Sequence, residues 1–166
     1  MKNFYGVLEN LPARAVYPAM LAAPLAGTVV PLTEVNDAMF AGKMLGDGIA
    51  IEPSDGRLFA PCSGVVTGVF HTGHAVNIRS DDGCKILLHI GIDTVRLGGR
   101  FFRTVAKAGD RVRKGDLLVR FDIRGLRSEG CHLTAPMIIC NTVDYTAVTP
   151  VASGTISAGE NLLALK

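Results

Sequence analysis

The sequence lacks the features by which nucleic-acid-binding proteins are usually recognised. It contains no Trp, only 6% of its residues are aromatic, and no run of Lys or Arg is longer than two residues. Such proteins concentrate basic residues in one patch and often stack bases on aromatic side chains. With a net charge of only +2, this chain is expected to bind no nucleic acid.

Cysteines are few, and their spacing indicates neither a disulfide scaffold nor a metal site. No two of them are in CxxC spacing, and none shows the spacing of a zinc site. In a chain of 166 residues, isolated cysteines are typical of free thiols in a reducing compartment rather than of a disulfide scaffold. We therefore expect unpaired thiols at Cys62, Cys84, Cys131 and Cys140.

The sequence also lacks an uninterrupted apolar segment that could cross a membrane. Residues 15–33 carry no charge, but three prolines and a glycine divide them into short pieces. A spanning helix needs about 20 consecutive apolar residues. Charged residues and a proline precede the apolar part, which disfavours a signal peptide. The sequence therefore predicts a cytoplasmic protein without membrane insertion.

Glycine and proline, in contrast, are abundant and regularly placed. The 19 Gly and 8 Pro separate short runs rich in Val, Ile, Leu and Thr, a pattern typical of many short strands. We predict an all-β domain at residues 19–166, an antiparallel β-sandwich or barrel-like fold with very little helix, after an N-terminal extension at residues 1–18. The predicted strands are Gly27–Val30, Asp47–Ile51, Arg57–Ala60, Gly64–Phe70, Ala75–Arg79, Lys85–Ile90, Arg111–Val112, Leu117–Phe121, Met137–Cys140 and Leu162–Leu165; a short helix is predicted at Asp122–Ser128 and one helical turn at Gly99–Val105.

Two short motifs each occur twice. Ala23–Val29 (APLAGTV) is similar to Ala60–Val66 (APCSGVV), and Val112–Leu118 (VRKGDLL) is similar to Ile156–Leu162 (ISAGENL). Each predicts a turn that enters a strand, with glycine at a position of positive φ. The fold is therefore expected to contain a duplicated strand motif.

The residues that can carry chemistry lie in one predicted β-hairpin. Alternating apolar runs flank the turn Ser80–Gly83, and each run contains one histidine, His74 or His89. If the turn has a two-residue loop, the two histidines are directly opposed, with Cβ atoms roughly 4.5–5.5 Å apart. A three-residue loop with a bulge at Gly83 shifts the register by one and removes this opposition.

Alternation along the hairpin assigns the neighbouring side chains to two faces. The apolar face, expected to pack into the core, consists of Ile86, Leu88, Ile90 and Ile92. With direct opposition of the histidines, the other face also holds Thr72, Val76, Leu87 and Asp93.

Two facing imidazoles are compatible with three interpretations. A neutral histidine is a competent nucleophile near pH 7, and a second ring, held in one tautomer by Thr72, can donate a hydrogen bond to a phosphoryl group. The pair can also supply half of a tetrahedral zinc site, with Asp93 as the nearest third ligand. The third interpretation is a purely structural pair. A facing pair beside Asp93 favours function, whereas His71 and His132 are interpreted as surface residues.

Several segments resemble one known family. The chain is similar to the glucose-family IIA component of the bacterial phosphoenolpyruvate-dependent sugar phosphotransferase system, from about residue 23 to the C-terminus. The segments that carry the resemblance are Gly46–Ile51, Ala60–Gly64, His74-Ala75, Gly109–Asp116 and above all Leu88–Val95 (LHIGIDTV).

The resemblance implies an antiparallel β-sandwich that acts as a phosphohistidine carrier. His89 would accept a phosphoryl group from the phosphocarrier HPr through Nε2 and pass it to a cysteine of a IIB domain. His74 would stabilise the phosphoryl group, Thr72 would hydrogen-bond His74, and Asp37 and Asp93 would face an arginine of the carrier. An apolar ring around the site would consist of Met39, Phe40, Met44, Leu45, Phe70, Val76, Leu87 and Val95.

No cofactor is expected, although a partner carboxylate would allow His74 and His89 to bind zinc at an interface. The residues before Ala23 do not resemble the amphipathic helix by which some free-standing family members reach the membrane. Whether the chain works alone or is one domain of a longer permease is left open, with Met1 favouring a complete chain. The sugar, the regulatory partners and the oligomeric state are left open.

Two other functions are less well supported. A zinc hydrolase of related β-fold would need a third metal ligand, and the sequence contains no HxH motif. A lipoyl- or biotinyl-type carrier would need a lysine at a hairpin tip in a suitable context, which is also missing.

Overall fold

The computed structural model describes residues 19–166, so the predicted extension at residues 1–18 lies outside the described residues. Short strands predominate, and no described helix is long and apolar enough to cross a membrane. The two α-helices are α1 (Ala38–Ala41) and α2 (Ile123–Ser128), and 3₁₀ turns occupy Leu32–Glu34, Thr94–Leu97 and Thr142–Asp144. The strands are β1 (Ala19–Ala22), β2 (Gly27–Val30), β3 (Asp47–Pro53), β4 (Arg57–Phe59), β5 (Gly64–Val69), β6 (Ala75–Ser80), β7 (Lys85–His89), β8 (Phe102–Thr104), β9 (Arg111–Val112), β10 (Leu117–Phe121), β11 (Ala135–Ile139), β12 (Val148–Pro150), β13 (Thr155–Ile156) and β14 (Asn161–Leu165).

The prediction of an antiparallel β fold with very little helix is confirmed. Each of the ten predicted strands overlaps an observed one, and the predicted helix is present as α2, capped by the Asp122 carboxylate on the Gly125 N–H. The helical turn predicted at Gly99–Val105 is wrong, because its second half is strand β8. Strands β1, β8, β12 and β13 and helix α1, each two to four residues long, were not predicted.

Three antiparallel sheets enclose one apolar core. The large sheet has the order β13-β2-β3-β11-β7-β6-β5-β9, and the smaller sheets are β1-β14-β12 and β4-β10-β8. Leu163 and Leu118 from the smaller sheets join the same core as Leu88 from the large one, and none of them is more than 1% exposed. Burial of each such side chain contributes about 1.5–3 kcal/mol. As predicted, Ile86, Leu88 and Ile90 belong to this core; Ile92 is also buried, but in a separate apolar cluster with Phe40.

The duplicated motif forms two equivalent units at the two ends of the large sheet. Gly27 of β2 pairs with Ile156 of β13, and Gly64 of β5 pairs with Val112 of β9. Each copy of the first motif therefore meets one copy of the second. The same backbone hydrogen bond closes both units: Ala23 N to Glu160 O (2.7 Å) and Ala60 N to Asp116 O (2.9 Å).

The glycines of the two motifs are required for different reasons. Gly115 and Gly159 have φ of 91° and 92°, as predicted for turn glycines. Gly64 does not have positive φ, so the prediction is wrong there. A Cβ on Gly64 would lie 2.2 Å from the Arg79 carbonyl oxygen, and the close approach of strand β6 is what requires glycine.

The β6–β7 hairpin does not place the two histidines in direct opposition. Ala75 pairs with His89, and His74 lies just before β6 begins. The turn explains the difference. Ser80 donates its N–H to the Cys84 carbonyl at 2.8 Å, and Gly83 has φ of 91°, so a three-residue loop of residues 81–83 forms instead of a two-residue loop.

This change of register moves Val76 to the other face of the hairpin. Val76 pairs with Leu88, is 0% exposed and belongs to the core. The prediction that Val76 lies on the histidine face and in the apolar ring is therefore wrong. Leu87 pairs with Asn77 and remains on the outer face, as predicted.

A second, smaller apolar cluster covers part of the outer face of the large sheet. The connection between β2 and β3 crosses this face, and its buried residues Leu32, Val35 and Phe40 pack against Ala50 and Ile138. This packing brings α1 to the end of β7. The fold thereby places the long β2–β3 connection and the short β5–β6 turn on either side of His89.

Candidate functional site

A cavity of about 380 Å³ opens where β7 ends, and ten of the thirteen predicted site residues line it. The others are elsewhere: Thr72 lies behind His74, Val76 is in the core, and Met44, which is 73% exposed, lies on an adjoining surface. The lining residues are Asp37, Met39, Phe40, Leu45, Phe70, His74, Leu87, His89, Asp93 and Val95.

The His89 ring is held by the backbone that follows it. Its Nδ1 atom lies 2.7 Å from the Gly91 carbonyl oxygen. A carbonyl oxygen only accepts hydrogen bonds, so Nδ1 must carry the proton in the neutral ring. The lone pair is then on Nε2, which has no hydrogen-bond partner among the described residues.

The His74 ring is held by a hydroxyl group. Thr72 Oγ1 and His74 Nδ1 lie 2.5 Å apart, and both residues are almost fully buried. The hydrogen bond predicted between these two side chains is therefore present. The His74 carbonyl also accepts the Ile90 N–H at 2.7 Å, which fixes the β5–β6 turn against the end of β7.

The two rings are in contact although their residues are not paired. The centroids of His74 and His89 are 4.9 Å apart, with the ring planes at 79°. Phe40 lies on the other side of His89, 5.1 Å away, and Phe70 lies 5.2 Å from His74. The four rings form a row that leaves little freedom for either imidazole to rotate.

Both histidines are neutral at pH 7. Burial, together with the smaller effects of the nearby His89 and His71, lowers the pKa of His74 from 6.5 to about 4. Burial also lowers the pKa of His89, an effect that the Gly91 carbonyl, Asp37 and Asp93 partly oppose. A neutral His89 ring with a free Nε2 lone pair has the protonation state of a nucleophile.

Asp37 lines the cavity and also has a structural role. It is the N-cap of α1, where its Oδ1 atom accepts the Met39 N–H at 2.8 Å and the Phe40 N–H at 3.3 Å. The cap fixes the orientation of Phe40 against His89. Met39 projects from the same helix and is half-exposed.

The turn after His89 contains Gly91 and Thr94, which were not among the predicted site residues. The buried Thr94 donates its hydroxyl to the Ile90 carbonyl at 2.6 Å. Gly91 has φ of 73°, and a Cβ there would lie 2.7 Å from a Thr94 methyl carbon. Asp93 adopts the left-handed conformation with φ of 57°, which is uncommon for a residue other than glycine. The available signal was the sequence Gly-Ile-Asp-Thr that begins two residues after His89.

The two remaining histidines lie outside the cavity. His71 and His132 are exposed, as predicted, and His132 Nε2 lies 3.1 Å from the Asn36 side-chain nitrogen. Across residues 19–166, no three His, Cys, Asp or Glu side chains converge to form a metal site. The third ligand that a zinc hydrolase requires is therefore not found in that part of the chain.

Comparison with known proteins agrees with this geometry. Residues 19–145 match the family described as phosphoenolpyruvate-dependent sugar phosphotransferase system, EIIA 1. The glucose-specific EIIA component of Oceanobacillus iheyensis is 38% identical over 96% of this chain and 94% of its own length. The structure of glucose permease IIA from Mycoplasma capricolum superposes with a TM-score of 0.85 at 35% identity, covering 90% of this chain and 97% of that one.

Longer relatives contain a similar domain. The beta-glucoside-specific EIIBCA component of Dickeya chrysanthemi is 47% identical over 95% of this chain, and that of Bacillus subtilis is 41% identical over 88%. This chain spans about a quarter of the length of these two relatives, 27% and 24% respectively. Since the family match covers most of the chain and the glucose-type relatives match it from end to end, the chain belongs to the EIIA 1 family of the sugar phosphotransferase system, a family of phosphocarriers in sugar uptake.

Proposed function

We propose that Nε2 of His89 accepts a phosphoryl group from HPr and transfers it to a cysteine of a IIB domain. The observation that carries this proposal is the contact between His89 Nδ1 and the Gly91 carbonyl, which directs the proton to Nδ1 and the lone pair to Nε2. Burial favours the neutral ring by lowering its pKa. Positioning of a nucleophile is the main requirement of phosphoryl transfer.

The two steps balance without any further reactant. In the first, the phosphorus–nitrogen bond of the carrier's phosphohistidine breaks while a bond from phosphorus to His89 Nε2 forms. The proton on Nδ1 stays in place, and its bond to the Gly91 carbonyl becomes charge-assisted as the ring gains positive charge. In the second, this bond breaks, a phosphorus–sulfur bond forms with a cysteine thiolate, and the ring becomes neutral again.

His74 has the geometry of a stabilising group in this proposal. If the Thr72 hydroxyl donates to His74 Nδ1, the proton of the neutral ring is on Nε2. That N–H can donate a hydrogen bond to a phosphoryl oxygen on the adjacent ring, 4.9 Å away between centroids. Donors aimed at the transferring group stabilise its charge.

The surroundings of the cavity suit a partner with a basic and apolar surface. Met39, Leu45, Phe70 and Val95 are 37–51% exposed around the histidines. The carboxylate of Asp93 is exposed at the same rim. A transient interface of this kind would be at the low end of the usual range, near about 1,200 Å² in total.

The proposal is tested by incubating the protein with phosphoenolpyruvate, enzyme I and HPr. An acid-labile, base-stable phosphate should appear on the wild type and be missing from His89→Ala. The matched control is His132→Ala, which removes an exposed imidazole outside the cavity and should be labelled normally. Unlabelled wild-type protein, or label retained in His89→Ala, would contradict the proposal.

A further inference from the structure

Many of the basic residues of this chain lie in one segment of the sequence. Nine of the 17 Lys and Arg residues, but only three of the 15 Asp and Glu residues, lie between residues 100 and 127. All nine basic side chains are exposed. The strands of the small sheet β4-β10-β8 and α2 together contain five arginines and no Asp or Glu, whereas Arg100 and Arg111 of the same segment form ion pairs with Glu129 and Asp81.

Three arginines are aligned across this small sheet. Arg120 of β10 pairs in register with Arg57 of β4 on one side and with Arg103 of β8 on the other. Directly opposed residues of antiparallel strands project from the same face. The neighbours Val119 and Phe121 are buried, so the arginines point away from the core. We refer to Arg57, Arg120 and Arg103 as the arginine ladder.

The arginine ladder is not neutralised within the protein. Arg57 pairs with Asp55 at 2.6 Å, but in the described part of the chain neither Arg103 nor Arg120 forms an ion pair. Like charges directly opposed on a sheet are destabilising. A row of them on adjacent strands, about 4.8 Å apart, indicates that something other than stability favours arginine at these positions.

The surface beside the arginine ladder is partly apolar. An open groove of about 350 Å³ lies next to Arg103 and Arg120 and is also lined by Phe101 and Phe102. Both phenylalanines are half-buried, so part of each ring is accessible. Arginines next to accessible aromatic rings suit a partner that combines phosphate groups with apolar atoms.

We propose that the arginine ladder binds the anionic headgroups of a membrane surface. Sugar uptake takes place at a membrane, and the inner surface of such a membrane carries a negative potential that attracts exposed Lys and Arg. A row of arginines that spans three strands matches an extended array of phosphates better than it matches one small anion.

The location of the ladder is compatible with phosphoryl transfer. A Cβ on Gly73 would lie 3.0 Å from Phe102 Cβ, so β8 packs beside the turn that precedes His74. No residue of the arginine ladder lines the histidine cavity. Contacts made by the ladder therefore use none of the residues that line this cavity.

Cosedimentation of the full chain with lipid vesicles tests the proposal. At low salt, the protein should sediment with vesicles of equimolar phosphatidylcholine and phosphatidylglycerol, and not with vesicles of phosphatidylcholine alone. The double variant Arg103→Gln/Arg120→Gln should bind about thirtyfold more weakly, a factor of about five for each charge. Arg103→Lys/Arg120→Lys should keep most of the binding because it keeps the charges.

A matched control for the ladder variant is available in another pair of basic residues that are directly opposed on adjacent strands. Arg79 and Lys85 pair in register on β6 and β7, and both are exposed. Arg79→Gln/Lys85→Gln removes the same net charge and should weaken binding by less than about threefold. Urea denaturation should show that the ladder variant is at least as stable as the wild type, since it removes opposed like charges.

Several results would overturn the proposal. Equal losses in the ladder variant and the control would mean that net charge alone drives binding. Binding to phosphatidylcholine vesicles, or undiminished binding of the ladder variant, would exclude the ladder as the lipid site. Displacement from anionic vesicles by poly-glutamate at equal charge concentration would indicate an acidic protein as the partner instead.

Discussion

The imidazoles of His74 and His89 meet edge to face, with centroids 4.9 Å apart, although Ala75 is the residue paired with His89. The contact depends on the β5–β6 turn, where the His74 carbonyl accepts the Ile90 N–H at 2.7 Å. The turn thus brings His74 to His89 from just outside the hairpin. The two rings are therefore close enough to cooperate although the two histidines are not directly opposed in the hairpin.

Replacement of His74 by Gln should separate acceptance of the phosphoryl group from its transfer. His74→Gln keeps a hydrogen-bond donor near His89 but lacks the imidazole. We expect this variant to be labelled from phosphoenolpyruvate through HPr and to fail to pass the label to a IIB cysteine. The measurement is a two-stage transfer assay, and a variant that relays at the wild-type rate would refute the role of His74.

Replacement of Thr72 by Val should affect both stability and the tautomer of His74. Val has nearly the same shape but leaves the buried His74 Nδ1 without its partner, at a cost of about 1–3 kcal/mol in the free energy of unfolding. Thr72→Ser retains a hydroxyl and is the control. Urea denaturation measures the cost, and nitrogen chemical shifts report the tautomer. A Val variant with wild-type stability and an unchanged tautomer would show that this hydrogen bond is unimportant.

The low pKa of His74 predicts a loss of stability in mild acid. The ring takes up a proton near pH 6.5 when unfolded and only near pH 4 when folded. The unfolded state therefore binds more protons between these values, and the free energy of unfolding falls as pH is lowered through this window. For His74 alone the total loss is about 3 kcal/mol.

This pH effect can be isolated by comparison with His74→Gln. Urea denaturation at about pH 7 and about pH 4.5 should show a smaller loss for the variant than for the wild type. Equal losses in the two proteins would mean that other groups account for the acid sensitivity.

The exposed apolar residues at the cavity should contribute to recognition of HPr. Met39→Gln is expected to raise the KM for phosphorylated HPr by at least about fivefold, the effect of losing about 1 kcal/mol at an interface. Met20→Gln is a matched control, because Met20 is 44% exposed, compared with 49% for Met39, and lies on β1 outside the cavity. If both variants show the same KM, Met39 is not part of the docking surface.

Much of the fold could be predicted from the sequence because its strands alternate and its turns carry Gly and Pro. The alternation of Ile86, Leu88 and Ile90 was sufficient to identify the core face of β7. The repeated motifs predicted a duplication, and their members pair with each other in the structure. Length alone did not decide which short strands were found, because β9 was predicted and β13, which also has two residues, was not.

The geometry of the candidate site was less predictable. The register of β6–β7 depends on whether the turn loop has two or three residues, and the left-handed conformation of Gly83 decides this. One step of register moved Val76 from the expected site into the core. The hydrogen bond from His89 Nδ1 to Gly91 depends on the path of the backbone after β7, for which a sequence pattern gives no direct signal.

The most direct test is to determine which nitrogen atom carries the phosphoryl group. The protein, with isotope-labelled histidine, is phosphorylated through enzyme I and HPr and examined by NMR for scalar coupling between phosphorus and ring nitrogens. The structure predicts a single bond from phosphorus to Nε2 of His89, with Nδ1 still protonated toward Gly91. Coupling to His89 Nδ1, to His74 or to an exposed histidine would contradict this account.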